Sequence, residues 1–335
     1  MKGGIVDYQV LAEQVLGGYL LDEEEGLSLL QTPDENLSQL LQAAFLIREK
    51  YFGRRVRLHM LMNAKSGLCP EDCGYCSQSA VSEAQIDRYP LLPQEELVSG
   101  ALRAVKAQAL RYCIVISARG PTDSEVDSIC EAVKEIKQRT TLEICCSLGL
   151  LTTNQAKRLK EAGVARINHN LNTSEQFYEE ICSTHTYRDR VETIQVAQAA
   201  KMATCSGVLA GMGEQDIDLV KLAFALCRLD VDSIPVNFLN PIPGTPLEQV
   251  HALSPQRCLK ILCLFRFVNP TKEIKVGGGR ELHLGRLQPL TLYPANSIFV
   301  EGYLTTSGQA SQEAIHMIEA NGFEVEGQSS TISRL

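Results

Sequence analysis

From Arg57 to Val300 the chain alternates short apolar runs with longer amphipathic segments, and this alternation restricts the fold more than any other feature. Strands are expected at 57–63, 112–117, 141–147, 165–170, 203–210, 232–238, 272–277 and 297–300. Helical patterns at 94–109, 123–138, 153–162, 188–201, 214–229 and 254–267 fall between them. A helix between two strands carries the chain back across the sheet, so repeated β-then-α units build a parallel sheet. Eight such strands predict a closed (β/α)8 TIM-type barrel; a doubly wound open sheet is the alternative, since the last helices are poorly marked. No Pro/Gly/Ser-rich linker divides the run, so residues 51–322 are read as one domain. Ahead of it, residues 1–50 are read as a helical extension packed outside the main body. Apolar and aromatic residues recur there at helical spacing through Tyr8, Leu11, Val15 and Tyr19, then Leu37, Leu40, Leu41 and Phe45. A last helix is expected at about 309–321, and the tail, 323–335, is expected to be loose.

In such a barrel the loops after the strands gather at one end and form the site. The loop after the first strand, Lys65 to Gln78, reads KSGLCPEDCGYCSQ and places Cys69, Cys73 and Cys76 in a C-x3-C-x2-C cluster. Thiolates are the ligands of iron–sulfur clusters. Three of them hold three corners of a cubane and leave one iron open. A structural zinc site closes with four ligands, and no Cys or His follows nearby to be the fourth. The alternatives are buried thiols in an ordinary loop, or a zinc site completed from elsewhere in the chain. The chain has twelve cysteines in 335 residues, scattered through apolar segments rather than forming a dense disulfide framework. A reducing cytoplasm with metal-bound thiols fits that distribution. A net charge of −8 without a long basic run argues against nucleic acid or a membrane surface as partner. No apolar stretch approaches the roughly twenty residues of a membrane span, and MKGGIVDYQVLAEQVL lacks the apolar core of a secretory signal.

Three further cysteines sit within strand candidates: Cys113, Cys145 and Cys205. Side chains alternate across a strand, so Cys145 and Cys146 point to opposite faces. Singly, each reads as a small buried hydrophobe; together they could converge on a second cluster, and spacing leaves both readings open. Cys130, Cys182, Cys227, Cys258 and Cys263 are read as packing thiols. In RINHNLNTS, Asn168, Asn170 and Asn172 alternate and so share a face, where amides need partners; a capped turn at the sheet end is the alternative. His169 then points to the other face and is read as structural. GVLAGMGE, 207–214, is a weak glycine motif, and Thr305 with Thr306 is by physics alone a turn or cap. Nothing suggests a Ser/His/Asp triad or a paired-carboxylate site.

The cysteine loop resembles the signature loop of the radical S-adenosylmethionine enzymes. Taken with NHNLNTS, NPIPGTPLE and ANSIF…LTT, over about Arg57 to Gly322, the chain resembles the biotin synthase family in particular. The resemblance implies that Cys69, Cys73 and Cys76 hold a 4Fe–4S cluster whose open iron binds S-adenosylmethionine. Reductive cleavage then yields a deoxyadenosyl radical, one for each carbon–hydrogen bond broken as sulfur enters dethiobiotin to form biotin. It further implies adenosylmethionine contacts from Tyr75, from Ile114 and Ser117 in CIVISA, from Asn170 and Asn172, and from Gly207, Leu209 and Gly211. Dethiobiotin would meet Asn168, Asn170 and Asn237 at its cyclic urea, and Thr305 and Thr306 at its carboxylate. An auxiliary iron–sulfur cluster, the sulfur donor, would lie among Cys113, Cys145 and Cys205. Its fourth ligand in better-known members is an arginine; here Lys275 stands at that place, in IKVGGGRE. A guanidinium and an amine are not interchangeable, so the resemblance allows a 2Fe–2S cluster or a larger 4Fe-type one. It also implies a flavodoxin- or ferredoxin-type electron donor and a homodimer. The rival readings are another enzyme of the same branch, a hydrogenase-maturation protein or carbon-skeleton mutase, and a non-catalytic iron–sulfur or zinc scaffold.

Overall fold

Three helices precede the first strand: α1 (Tyr8–Leu16), α2 (Glu23–Leu30) and α3 (Leu37–Phe52). The computed structural model describes residues 7–327; the outer ends of the helical extension and of the expected loose tail lie outside the described residues. Asp22 accepts from the Glu25 amide while the Glu25 carboxylate accepts from the Asp22 amide, a reciprocal cap that starts α2. Tyr8, Leu11 and Val15 are buried along one side of α1, whereas Tyr19 lies beyond its end, exposed, with its hydroxyl on Glu25. Helical spacing overextended α1 because Gly17 and Gly18 end it, the second in a left-handed turn.

The barrel follows. Its strands are β1 (Arg55–Lys65), β2 (Arg111–Ile116), β3 (Glu143–Ser147), β4 (Arg166–Asn168), β5 (Ala203–Cys205), β6 (Val208–Ala210), β7 (Ser233–Phe238), β8 (Glu273–Val276) and β9 (Ser297–Phe299). They pair in parallel in the order β1-β2-β3-β4-β5-β7-β8-β9, with β6 also on β7. β9 closes the ring on β1 through Arg57–Ser297, Leu58–Ile298 and His59–Phe299. This is the closed (β/α)8 barrel expected from the alternation; the open-sheet alternative falls because an open sheet has two unpaired edges. The expected strand 203–210 is two strands, β5 and β6, sharing one position in the ring. A Cβ at Gly207 would sit 1.9 Å from the Pro235 carbonyl oxygen, so the chain presses against β7 there and kinks. The Gly207 amide donates to Asn170 Oδ1 (3.1 Å) in place of a ladder bond.

Around the ring run α4 (Gln94–Lys106), α5 (Asp123–Arg139), α6 (Thr153–Ala162), α7 (Tyr187–Ala199), α8 (Asp216–Arg228) and α9 (Pro255–Val268). Thr122 with Glu125, Thr152 with Gln155 and Thr186 with Asp189 form the same reciprocal cap at three of their starts. Every residue of α9 from Cys258 to Val268 is buried, because α2 and α3 cover its outer side. The N-terminal helices thus pack on the barrel's outer side and share one apolar core with β7, α8 and α9. The poorly marked region after β8 is a short helix, α10 (Arg280–Leu284), and a 3-10 segment, Gly285–Leu292. α11 (Ser311–Ala320) then leads to β10 (Glu324–Val325). That strand lies in the stretch expected to be loose, yet Phe323 is buried and Glu324–Val325 pair with Arg55–Val56.

Candidate functional site

At the C-terminal ends of the strands two cavities meet, one of about 290 Å³ and one of about 210 Å³. Tyr75, Cys76, Gln78, Asn168, Asn170 and Asn172 face both.

The cysteine loop forms one wall. It is compact: the Cys76 amide donates to the Cys73 carbonyl (3.1 Å) and the Ala80 amide to the Glu71 carbonyl (2.8 Å). It is also fastened to the segment before α7. The Gly74 amide donates to the Ile181 carbonyl (2.9 Å), and the Asp72 carboxylate accepts from the Ser183 and Thr184 amides. Those hydrogen bonds hold the Asp72 carboxyl well below the usual range against the opposing effect of burial. Glu71 is buried and accepts from Thr184 Oγ1 (2.7 Å), Arg119 and His185. Cys69, Cys73 and Cys76 line the smaller cavity. Burial raises the Cys69 thiol and pushes Cys76 up to about 11; a hydrogen bond to Cys182, then burial, raises Cys73. Coordination to a metal overrides such shifts, because a ligating thiol is deprotonated outright. The nearby carboxylates are spent on backbone and side-chain donors, so the thiols are the available ligands. That donor set fits an iron–sulfur cluster.

Tyr75 stands between the cavities. Its hydroxyl accepts from Asn172 Nδ2 (2.6 Å) and from Arg190 Nη2 (3.4 Å). Arg190 is buried and also donates to the Asn170 carbonyl (2.7 Å), His185 Nε2 (2.8 Å) and the Tyr178 hydroxyl. The three asparagines converge, although β4 ends at Asn168: Asn172 reaches the wall through a left-handed backbone (φ 70°), not through strand alternation. Asn168 Nδ2 donates to Ser147 Oγ (3.3 Å). His169, expected on the far face, is a wall residue of the smaller cavity, and its buried Nε2 has no partner among the described residues. Burial, with Arg190 and His185 adding to it, holds His169 neutral, well below its ordinary value.

Ser117 lines the smaller cavity, with its hydroxyl accepting from the Leu68 amide at 3.4 Å. Ile114 does not: it is fully buried in the core beneath the helices, and Val115 faces inward instead. Leu209 faces the larger cavity. Gly207 and Gly211 shape the backbone rather than line it; Gly211 (φ 95°) donates to Glu214 Oε1 (2.6 Å) in a self-closed turn. Asn237 lines the larger cavity while its amide bridges the Val208 carbonyl (3.1 Å) and the Gly278 amide (2.9 Å). Thr305 and Thr306 lie at the same rim, with Thr305 Oγ1 2.7 Å from Ser77 Oγ.

Below the cavities the barrel interior is layered. Cys113, Cys145, Cys205 and Lys275 come together around a void of about 10 Å³, the space of about one water. Lys275 Nζ is 3.8 Å from Cys205 Sγ and 5.2 Å from the Phe299 ring centre. Cys113 and Cys145 are direct neighbours across β2 and β3. A hydrogen bond from Cys113, helped by Lys275, Arg111 and Arg166 against burial, brings Cys145 down to about 7. Cys146 points to the helices, as alternation requires. The convergent donors fit a cluster, provided the side chains rotate outward to admit it. One layer lower, Glu273 accepts from Arg111 (3.2 Å), His59 (2.8 Å) and Ser297 (2.6 Å).

The residues that sequence reasoning missed are Glu71, Cys182, His185 and Arg190. Cys182, read as a packing thiol, lies with its sulfur 3.6 Å from Cys73 Sγ and 3.2 Å from His185 Nδ1. The hydrogen bond from Cys73, with His185 and Thr184 adding to it against burial, lowers Cys182 to about 4. The C-x2-H spacing in CSTH was a signal that could have flagged the pair.

Residues 65–226 match the family model of the radical SAM superfamily, and residues 235–324 match that of the biotin and thiamin synthesis associated domain. A biotin synthase of Geobacillus kaustophilus is 54% identical over 322 residues, 96% of this chain and 97% of its own length. One of Bacillus licheniformis is 55% identical over 316 residues, 94% of this chain and 95% of its own. Among solved structures, a methylornithine synthase superposes with a TM-score of 0.83 at 22% identity, covering 94% of this chain and 97% of that one. A FeFe-hydrogenase maturase from Carboxydothermus hydrogenoformans gives 0.79 at 17%, covering 94% of this chain and 78% of that one. At those identities the two structures speak for the fold alone. On the sequence relationship, over nearly its whole length, the chain belongs to the biotin synthase family of radical S-adenosylmethionine enzymes.

Proposed function

We propose that the smaller cavity takes adenosylmethionine and the larger one dethiobiotin, and that Cys69, Cys73 and Cys76 hold the 4Fe–4S cluster that serves them. The observation that carries this reading is the shared wall: Tyr75 and the three asparagines face both cavities, so ligands in the two lie in contact. When bound, the cluster and adenosylmethionine supply the electron and the carbon radical needed to take hydrogen from an unactivated carbon. The protein's part is positioning. Asn172 Nδ2 and Arg190 hold the Tyr75 hydroxyl and so fix the ring between the sites. Ser117 and the strand-end backbone at 115–118 present acceptors to the amino group of adenosylmethionine. Asn168, Asn170 and the remaining valences of Asn237 bond the cyclic urea, and Thr305 and Thr306 receive the carboxylate. Leu61, Leu239 and Phe299 give the larger cavity an apolar lining that keeps water from the reacting carbons.

Cys113, Cys145 and Cys205 hold the auxiliary sulfur-donating cluster, parting from their mutual contact to do so. Lys275 stands beside them: it ligates iron only as the free amine and as ammonium donates hydrogen bonds to sulfur. The amine in place of arginine supports a cluster of the larger, 4Fe type, so iron analysis of the loaded chain should give about eight irons rather than about six. A flavodoxin- or ferredoxin-type carrier, a homodimer and a cytoplasmic setting complete the reading and rest on the resemblance to the family. Among the described residues no helix is long and apolar enough to cross a membrane.

The test is anaerobic reconstitution followed by adenosylmethionine, a reductant and dethiobiotin. Deoxyadenosine and biotin together are expected; deoxyadenosine alone would point to another radical enzyme, and neither to a scaffold. Cys73→Ala is expected to abolish deoxyadenosine formation. Cys145→Ala is expected to leave it partly intact and stop biotin formation, and normal biotin yield from that variant would remove Cys145 from the donor set.

A further inference from the structure

We propose that in the cluster-free protein Cys73 and Cys182 form a disulfide that locks the cysteine loop against cluster loading until a thiol reductant opens it. The bridge needs no functional assignment; its consequence rests on the reading of Cys73 as a cluster ligand.

The two sulfurs are 3.6 Å apart and both side chains are buried. A disulfide needs about 2.05 Å between sulfurs, so the bridge requires the two to close in from 3.6 Å. The backbones on either side are already tied: Gly74 to Ile181 at 2.9 Å, and the Asp72 carboxylate to the Ser183 and Thr184 amides at 3.0 and 3.2 Å. That lacing holds the two backbones side by side, so only side-chain rotation moves the sulfurs together or apart. Cys73, Cys182 and His185 also have the composition of a metal site, their ligand atoms lying within 4.8 Å of one another. The imidazole is committed elsewhere, however. Arg190 can only donate, so His185 Nε2 accepts from it, and Nδ1 carries the proton towards Glu71. No imidazole lone pair is left for a cation, whereas a thiol pair needs none.

Access separates this pair from the other close one. Cys182 lines a surface crevice with Glu175, Glu179 and Arg188, apart from the two cavities at the barrel mouth. The crevice brings a small reagent up to Cys182, whose buried sulfur is reached when the crevice wall moves aside. Cys113 and Cys145 face each other around a void of about 10 Å³ inside the barrel, too small for such a reagent. The oxidant is a low-molecular-weight disulfide, RSSR. The Cys182 sulfur attacks it as a thiolate, giving a mixed disulfide and one RSH, which takes the proton. The Cys73 sulfur then attacks the Cys182 sulfur, and the second RSH leaves with the remaining proton. Two protein thiols are oxidised and one small disulfide is reduced. With its sulfur in that bond, Cys73 cannot ligate, and the loop offers only Cys69 and Cys76.

The full chain, stripped of metal under reductant and then desalted without oxygen, is treated with oxidised glutathione, alkylated, digested without reduction and mapped by mass spectrometry. A cross-linked peptide joining Cys73 to Cys182 is expected, lost on dithiothreitol treatment and absent from Cys182→Ser and Cys182→Ala. Oxidised wild-type protein should take up less iron and sulfide on reconstitution than the reduced protein and regain the difference after dithiothreitol; the variants should load alike with and without glutathione disulfide. A first bridge at Cys113–Cys145 or within the Cys69–Cys73–Cys76 trio, a glutathione adduct at Cys182 that never resolves, or a bridged protein that loads normally would each overturn the proposal. If reduced Cys73→Ala bound as much iron as wild type, the ligand reading would fall and the lock with it, while a missing bridge leaves that reading standing.

Discussion

Asn172 holds three partners at once: its amide donates to the Gly207 carbonyl, its carbonyl accepts from Leu209, and its side chain reaches Tyr75. It does so with φ at 70°, a conformation asparagine tolerates better than most residues. Asn172→Ala should therefore lose the Tyr75 contact and carry left-handed strain, lowering stability by about 1–2 kcal/mol, read as a fall in the thermal midpoint of the cluster-free chain. Thr305→Val keeps the shape and removes the hydroxyl. A hydrogen bond to a charged group contributes about 1.5–3 kcal/mol, so KM for dethiobiotin should rise roughly ten- to hundred-fold; an unchanged KM would take the substrate carboxylate away from this rim. At this scale the sequence made single types legible: three thiols in one loop, alternating amides, a lysine in the apolar run before GGGRE. It did not make legible what a distant segment brings to them. Cys182 is separated from Cys73 by 109 positions, and only the lacing of the two loops turns an apparent packing thiol into a neighbour.

Element by element, the alternation of apolar runs and amphipathic segments located the barrel because each strand and its covering helix satisfy their own periodicity. Where a tertiary contact overrides the local pattern, the sequence misled. The apolar run 203–210 has the composition of one strand, but the press of Gly207 against Pro235 breaks it into β5 and β6. A side chain at Gly207 would force the strands apart. Gly207→Ala is expected to destabilise the chain by about 1–3 kcal/mol, the range for overpacking, and to displace Asn170, whose Oδ1 accepts from the Gly207 amide. Denaturant midpoints and KM for dethiobiotin should shift together; a neutral result would mean that the kink has another cause. The short elements after β8 were illegible for a related reason: α10 and the 3-10 segment lack a full amphipathic repeat and are held by packing on α9.

Across the whole molecule, a set of buried charges underlies the interior. Glu273, on β8, meets His59 and Arg57 on β1, Arg111 on β2 and Ser297 on β9, while Arg111 also meets Glu143 on β3 (2.6 Å). Burial pushes the Glu273 carboxyl up, but Arg111, His59 and Lys275 outweigh it and hold the group well below its usual range. Burial, with Lys275 and Arg111, holds His59 neutral. Both folded values are depressed, so both groups contribute stability that is present at neutral pH and lost on acidification. The unfolded histidine takes a proton below about pH 6.5 and the unfolded carboxylate below about 4.3. Unfolding free energy of the cluster-free chain, read from denaturant curves, should fall from about pH 6.5 downward, by up to about 1.4 kcal/mol per pH unit per group, and His59→Gln should lessen the first part of that decline, the rest following buried His169. Glu273→Gln, which leaves buried Arg111 short of a partner, is expected to cost about 3–5 kcal/mol, measured by urea unfolding.

The pairing of β9 and β10 with β1 carries a consequence for biogenesis. Residues near 56 wait for partners near 298 and 325, so during synthesis the sheet keeps a bare rim until those distant partners have left the ribosome. Contacts so remote in sequence form slowly. A nascent fragment arrested before Ser297 would therefore offer two unsatisfied strand borders to its neighbours, the condition under which incomplete chains clump.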